Sequence, residues 1–195
     1  MIDQSDPFPT ETLPLTEVEA RLIYSVIVAG KSARFTDAVM ALLQAELSDY
    51  RSDSLFQKLR WQEEKGLLGS LVRKIRAGNY RKLEKCIREL LAARLDLLTC
   101  TPEQLEAIHG IGPKTSRFFI LWTRPGAHYA ALDVHVLRWL KAQGYAAPKA
   151  TPTGAKYRKL ELAFLDEAAR RGMTARELDH QIWADGSGYA TEAQP

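Results

Sequence analysis

Two residues of this sequence have the types and setting to do covalent chemistry: Lys114 and Asp133, nineteen positions apart. Lys114 follows Gly110-Ile-Gly-Pro113 and opens a helix-forming run. The positive end of a helix dipole disfavours an ammonium group there. An amine that is partly unprotonated at neutral pH attacks electrophilic carbon and forms a Schiff base. The other reading of Lys114 is a cation that touches phosphate beside the turn. Asp133 stands in Leu132-Asp-Val-His-Val136, directly ahead of another helical run. A carboxylate so placed can stabilise positive charge that develops on a reacting group. It can equally serve as a plain N-cap, and the two roles are compatible.

The elements that must hold this pair read as helices. Thr101-Pro-Glu-Gln104 has Thr at the N-cap, Pro at the first helical position and Gln at the third, which predicts a short helix over Pro102–Ile108. His109-Gly-Ile-Gly112 ends it, and Pro113 starts the next helix through Phe118-Phe-Ile-Leu-Trp122. Glycines at 110 and 112 permit unusual backbone angles and close approach to a neighbour, and the helix start after them offers N–H groups to a phosphate. Arg124-Pro-Gly126 stops that helix. Further helices are expected over Val134–Ala142, Tyr157–Arg171 and Thr174–Trp183, with a loose tail from Asp185.

Upstream the pattern is similar. Thr16 is placed to cap a helix through Leu22, Ile23, Val26 and Ile27, and Gly30-Lys-Ser32 interrupts it. Phe35–Leu47, a segment opened by Ser54, and Leu67–Ile75 follow. After the Gly78-Asn79 turn, Leu83, Cys86, Ile87, Leu90 and Leu91 form one helical stripe, with Arg81, Lys85 and Arg88 on another face. No segment alternates as a strand does. The expected fold is therefore all-α.

The 195 residues are 46% hydrophobic and 26% charged, as in a globular protein of one or two packed lobes. No apolar run approaches the ~20 residues that a membrane span needs. Met1–Pro9 is polar and acidic and lacks the order of a signal peptide, so a cytoplasmic location is expected. Two cysteines, Cys86 and Cys100, are too few for a disulfide framework or a four-ligand metal site, and Cys86 reads as core. The net charge is +3, but residues 73–94 hold eight Lys/Arg and two acids, a local excess of +6. Such a cluster attracts polyanions, although a solvated helix face would look the same.

The segment Leu105-Glu-Ala-Ile-His-Gly-Ile-Gly-Pro-Lys-Thr-Ser116, followed by Leu132-Asp-Val-His-Val136, resembles the helix-hairpin-helix GPD superfamily of DNA glycosylases. That superfamily includes endonuclease III, adenine DNA glycosylase and 8-oxoguanine DNA glycosylase. Two motifs occur in the family's order and spacing. Weaker likeness covers roughly residues 20–185. Leu22–Arg34 looks like the helix that ends in the minor-groove wedge, which maps the wedge onto Lys31. Gly78-Asn-Tyr-Arg-Lys-Leu-Glu84 looks like the turn ahead of the helix that leads to the hairpin.

The resemblance implies a two-lobed fold with the active site in the cleft. One lobe would span 22–126, containing the hairpin at about 102–123. Residues 127–195 would form the other, with 1–21 packed on it. It implies a monomeric base-excision enzyme acting on double-stranded DNA that carries a damaged base or an abasic site, cytoplasmic and nucleoid-associated in a bacterium. Lys114 would be the Schiff-base nucleophile and Asp133 the supporting carboxylate. Gly110, Gly112, Thr115, Lys31 and Arg138 would contact DNA.

No cysteine follows Cys100, so the iron–sulfur loop of endonuclease III is not expected, while a monovalent cation at the hairpin carbonyls is compatible with the family. The Lys–Asp spacing leans toward 8-oxoguanine enzymes over those for oxidised pyrimidines. A glycosylase for another modified base, with Lys114 active only on abasic sites, stays open. So does a non-catalytic hairpin module that only binds DNA. His135 is expected to be structural, and Phe118, Trp122 and Trp139 to be core. Asp179, His180 and Trp183 fall on the last helix, which lies near the lesion pocket in this family.

Overall fold

The computed structural model describes residues 10–187, and every regular element among them is a helix. Among the described residues the chain divides into two compact units, Thr12–Ile111 and, together with residues 10–11, the chain from Gly112 on.

The first unit holds six helices. They are α1 (Leu15–Ile27), α2 (Ala33–Glu46), α3 (Leu55–Glu64), α4 (Leu68–Lys74), α5 (Tyr80–Ala93) and α6 (Pro102–Glu106). α1 starts at Leu15 rather than after Thr16. Pro14 supplies a preset φ of −56°, and its carbonyl accepts from Glu17 and Val18 N–H. The buried Glu19 of α1 reaches Ser54 Oγ at 2.8 Å and Phe56 N at 3.1 Å, while Ser54 Oγ itself caps Gln57 N. One carboxylate thus fixes the start of α3 against α1. The stripe expected on α5 is the buried one: Leu83, Cys86, Ile87, Leu90 and Leu91. Burial and the neighbouring Glu89 push the Cys86 thiol up to about 12, so it acts as a small apolar side chain. The capping box of α6 forms as read, between Thr101 and Gln104.

The second unit holds α7 (Pro113–Thr123), α8 (Val134–Ala142), α9 (Gly154–Arg170) and α10 (Ala175–Ser187). Its core joins Leu121, Leu132, Val136, Leu137, Leu140, Tyr157, Phe164, Leu178 and Ile182. The Trp139 ring meets Phe164 edge-on at 6.1 Å on one side and carries the Arg171 guanidinium at 5.0 Å on another. α10 runs to Ser187, so the chain is still helical where loosening was expected from Asp185. Met1–Pro9 and the tail after Ser187 lie outside the described residues.

The division falls between Ile111 and Gly112, inside the hairpin, and not after residue 126 as the sequence suggested. α7 belongs with the later helices because its apolar side, including Leu121, is part of their core. α1 belongs to the first unit, where it packs on α2 and α3, and its Val18, Leu22 and Ile23 are buried. Of the described part of 1–21, residues 10–11 group with the second unit and those from Thr12 on with the first.

Candidate functional site

α7 begins with Gly112 as N-cap in an extended conformation, φ −103°, with Pro113 at the first helical position. No side chain caps this end. Lys114 is the second residue of the helix and is half-buried. Its Nζ lies 4.4 Å from the centroid of the Phe118 ring, one turn along, and Phe118 stacks in turn on Trp122 at 5.3 Å. Burial pulls the Lys114 amine below its usual range, and the charges of Asp133 and then Asp179 pull it back up. Among the described residues Lys114 makes no direct ion pair. The amine is therefore held in a carboxylate field, with burial working against its charged form.

Asp133 is the N-cap of α8. Its Oδ1 accepts from His135 N at 2.8 Å and from Val136 N at 2.9 Å. Both bonds use the same oxygen, and Oδ2 accepts none from the described residues. The two readings of Asp133 are thus geometrically compatible. One oxygen orients the group, and the other remains for a charge outside it.

A third group joins them. Asp179, on α10, has its carboxyl pushed up to about 7, first by burial and then by the negative charge of Asp133, with Lys114 opposing. The fold delivers it by three ties. Leu178 and Ile182 enter the same core as Val136 and Leu137. Trp183, one turn beyond Asp179, meets the His135 ring edge-on at 6.5 Å. Arg176 Nη2 donates to Leu121 O at 2.7 Å and to Arg124 O at 2.5 Å, binding the start of α10 to the end of α7. His135 is not simply a satisfied wall residue: its Nδ1 is buried and has no hydrogen-bond partner among the described residues.

The remaining sequence-predicted positions are placed as follows. Gly110, in the first unit, has φ +91°, and a Cβ there would lie 3.1 Å from Lys82 Cε. Glycine is demanded there by conformation and by contact. Gly112 has an ordinary φ, and a Cβ there would meet nothing. The protein itself does not require glycine at 112. Thr115 is buried, so its side chain does not face outward as a DNA contact would; only the backbone of that turn remains for such a role. Lys31 belongs to the first unit, where its Nζ donates to Ala77 O and lies 4.6 Å from the Phe35 ring centroid. Its head is already engaged rather than projecting as a wedge. Arg138 is exposed on α8 with no partner among the described residues.

Trp122 is buried as expected, while Phe118 and Trp139 are only partly so. In the hairpin, the carbonyls of Leu105 and Ile108 are taken by Ile108 N and Ile111 N. No helix among the described residues is long and apolar enough to cross a membrane.

The structure therefore brings Lys114 and Asp133 into one unit and adds Asp179 to them. The sequence signal for Asp179 was faint: an acid four residues before Trp183 on an amphipathic helix. Chemically, the set is an amine whose charged form burial disfavours, a fixed carboxylate with one free oxygen, and a carboxyl that exchanges its proton near neutrality. No protein-family model matches the chain, and no solved structure is a significant match to it.

Proposed function

We propose that this protein is a DNA glycosylase of the helix-hairpin-helix type that also cleaves at abasic sites, and that its substrate is duplex DNA carrying an oxidised base. The observation that carries the reading is the Lys114 amine, disfavoured as ammonium by burial and sharing one field with the Asp133 carboxylate. The two sequence motifs supply the DNA context, and the two-lobed glycosylase arrangement is part of the same proposal.

A stacked base is out of reach, so the damaged nucleotide is rotated out of the duplex. Lys114 Nζ attacks C1′ while the bond from C1′ to the base breaks and the base leaves as an anion, which takes a proton from water. Positive charge develops on the sugar, as in glycoside hydrolysis, and the Asp133 carboxylate stabilises it. The amine proton passes to Asp179, whose carboxyl titrates where such an exchange costs little. Asp179 returns that proton to the sugar ring oxygen as the ring opens, which leaves an iminium between Lys114 and C1′. Loss of a C2′ proton then expels the 3′ phosphate and nicks the strand. A monovalent cation in the hairpin, compatible with the family, takes no part in these steps.

A second reading, in which the chain only binds DNA, draws on the cap: both recorded bonds of Asp133 are structural. Borohydride trapping separates the two. Duplexes carrying an abasic site, 8-oxoguanine or thymine glycol are incubated with the protein and borohydride. A covalent adduct that disappears in Lys114→Ala supports the enzyme, and the lesion preference comes from the same gel. Tight binding with no adduct on any duplex overturns it.

A further inference from the structure

Between α7 and α8 the chain runs through Ala130, Ala131 and Leu132, all buried and without regular structure. A buried backbone must have its polar groups met. Here side chains meet them. Ala130 N donates to Glu161 Oε1 at 3.1 Å, and Ala130 O accepts from Tyr157 Oη at 2.6 Å. Leu132 N donates to the same Tyr157 Oη at 3.1 Å, and Leu132 O accepts from Thr151 Oγ1 at 2.9 Å. Asp133 N then turns back onto Ala131 O at 2.7 Å. Alternate residues of the lead into Asp133 are thus pinned at both polar atoms by α9 and the segment before it.

The other end of this clamp is α7. Glu161 Oε1 also accepts from Arg117 Nε at 3.1 Å, and both side chains are buried. The Arg117 guanidinium lies 4.9 Å from the centroid of the Tyr157 ring. Arg117 is three residues beyond Lys114, on the same helix. One buried assembly therefore grips the helix that carries Lys114 and the backbone that carries Asp133. A buried ion pair is a poor way to gain stability, because desolvating both charges offsets most of their attraction. Its use here is geometric.

We propose that Tyr157, Thr151 and the Arg117–Glu161 pair are positioning residues that set the reach between the Lys114 amine and the Asp133 carboxylate. This rests on the function proposed for the pair. A misplacement of about 1 Å costs up to roughly 100-fold in rate, because the reacting groups leave their attack geometry. Binding of DNA does not depend on that reach.

The test avoids Arg117 and Glu161, whose separation would leave a buried charge unpaired and risks unfolding. Tyr157→Phe keeps the ring and removes the hydroxyl. Thr151→Val keeps the shape and removes the hydroxyl, and Thr151→Ser restores it. The measurements are single-turnover adduct formation on an abasic duplex, duplex affinity, and the titration midpoint of Lys114 in the free protein, followed by NMR at its Cε.

Tyr157→Phe is expected to slow adduct formation by roughly 10- to 100-fold with affinity within about 2-fold, and to move the Lys114 midpoint. Thr151→Val should act in the same direction and Thr151→Ser should behave as wild type. An unchanged rate, or a rate and an affinity that fall together, overturns the proposal. If the wild-type protein forms no adduct, the glycosylase reading fails. The clamp is then judged on the Lys114 midpoint alone, and an unmoved midpoint in Tyr157→Phe overturns it.

Discussion

Asp133 Oδ1 accepts the N–H of Val136 at 2.9 Å, so the carboxylate that faces Lys114 electrostatically also starts the helix behind it. The two duties are separable by substitution. Asn is as good an N-cap as Asp but carries no charge, whereas Ala removes both functions. Asp133→Asn should leave stability within about 0.5 kcal/mol while slowing base release by roughly 100-fold, the scale of losing one preorganised electrostatic contact. Asp133→Ala should add a loss of about 1 kcal/mol. Urea denaturation beside single-turnover excision checks both. Equal stability loss in the two variants would mean the cap depends on the charge.

Asp179 predicts a pH dependence. Its carboxyl titrates at about 7 in the folded protein against 3.8 when free. Between those values the folded state holds a proton that the unfolded state has released, so stability falls as pH rises through that window. Asp179→Asn removes the penalty. Its melting temperature should exceed wild type above pH 7 and equal it below pH 4. In the same variant the rise of trapping rate with pH near 7 should flatten, because the proposed proton acceptor is gone. A rise that persists assigns the titration to another group.

For Lys114 the sign runs the other way along the pH axis. Burial holds its folded value below 10.5, so the folded state carries a penalty wherever the amine is charged. That penalty is relieved as pH climbs from the folded value to 10.5. Lys114→Met should therefore raise the melting temperature at neutral pH, with the gain vanishing toward pH 10.5, while abolishing the borohydride adduct. Calorimetry across pH reads it, and a lower melting temperature at neutral pH would show that the carboxylate field outweighs burial.

The two hairpin glycines should separate. Gly110 has φ +91° and lies against Lys82, so Gly110→Ala should cost about 1–2 kcal/mol from the left-handed backbone alone. Gly112 has open space and an ordinary φ. Gly112→Ala should fold normally and weaken duplex binding, because only an approaching ligand needs that space. Melting and titration with a labelled duplex distinguish them. Full binding by Gly112→Ala would remove the hairpin from the DNA contact.

Much of the fold was legible because it is written locally. The cap at Thr101, the start at Pro113 and the span Val134–Ala142 each follow from residues within a few positions, whereas α6 ends at Glu106, two residues short of the expected Ile108. The apolar stripe of α5 followed from periodicity. The candidacy of Lys114 and Asp133 came instead from a short motif around each.

What the tertiary structure alone decided is which faces meet. It buried Thr115, engaged Lys31 with Ala77 and divided the chain within the hairpin. It carried Asp179 to Lys114 and Asp133, and it paired Arg117 with Glu161 across 44 positions. Helical periodicity states that a residue lies on a buried side. It does not state what lies opposite, and a charge becomes unusual only when a distant segment removes its water and supplies its partner.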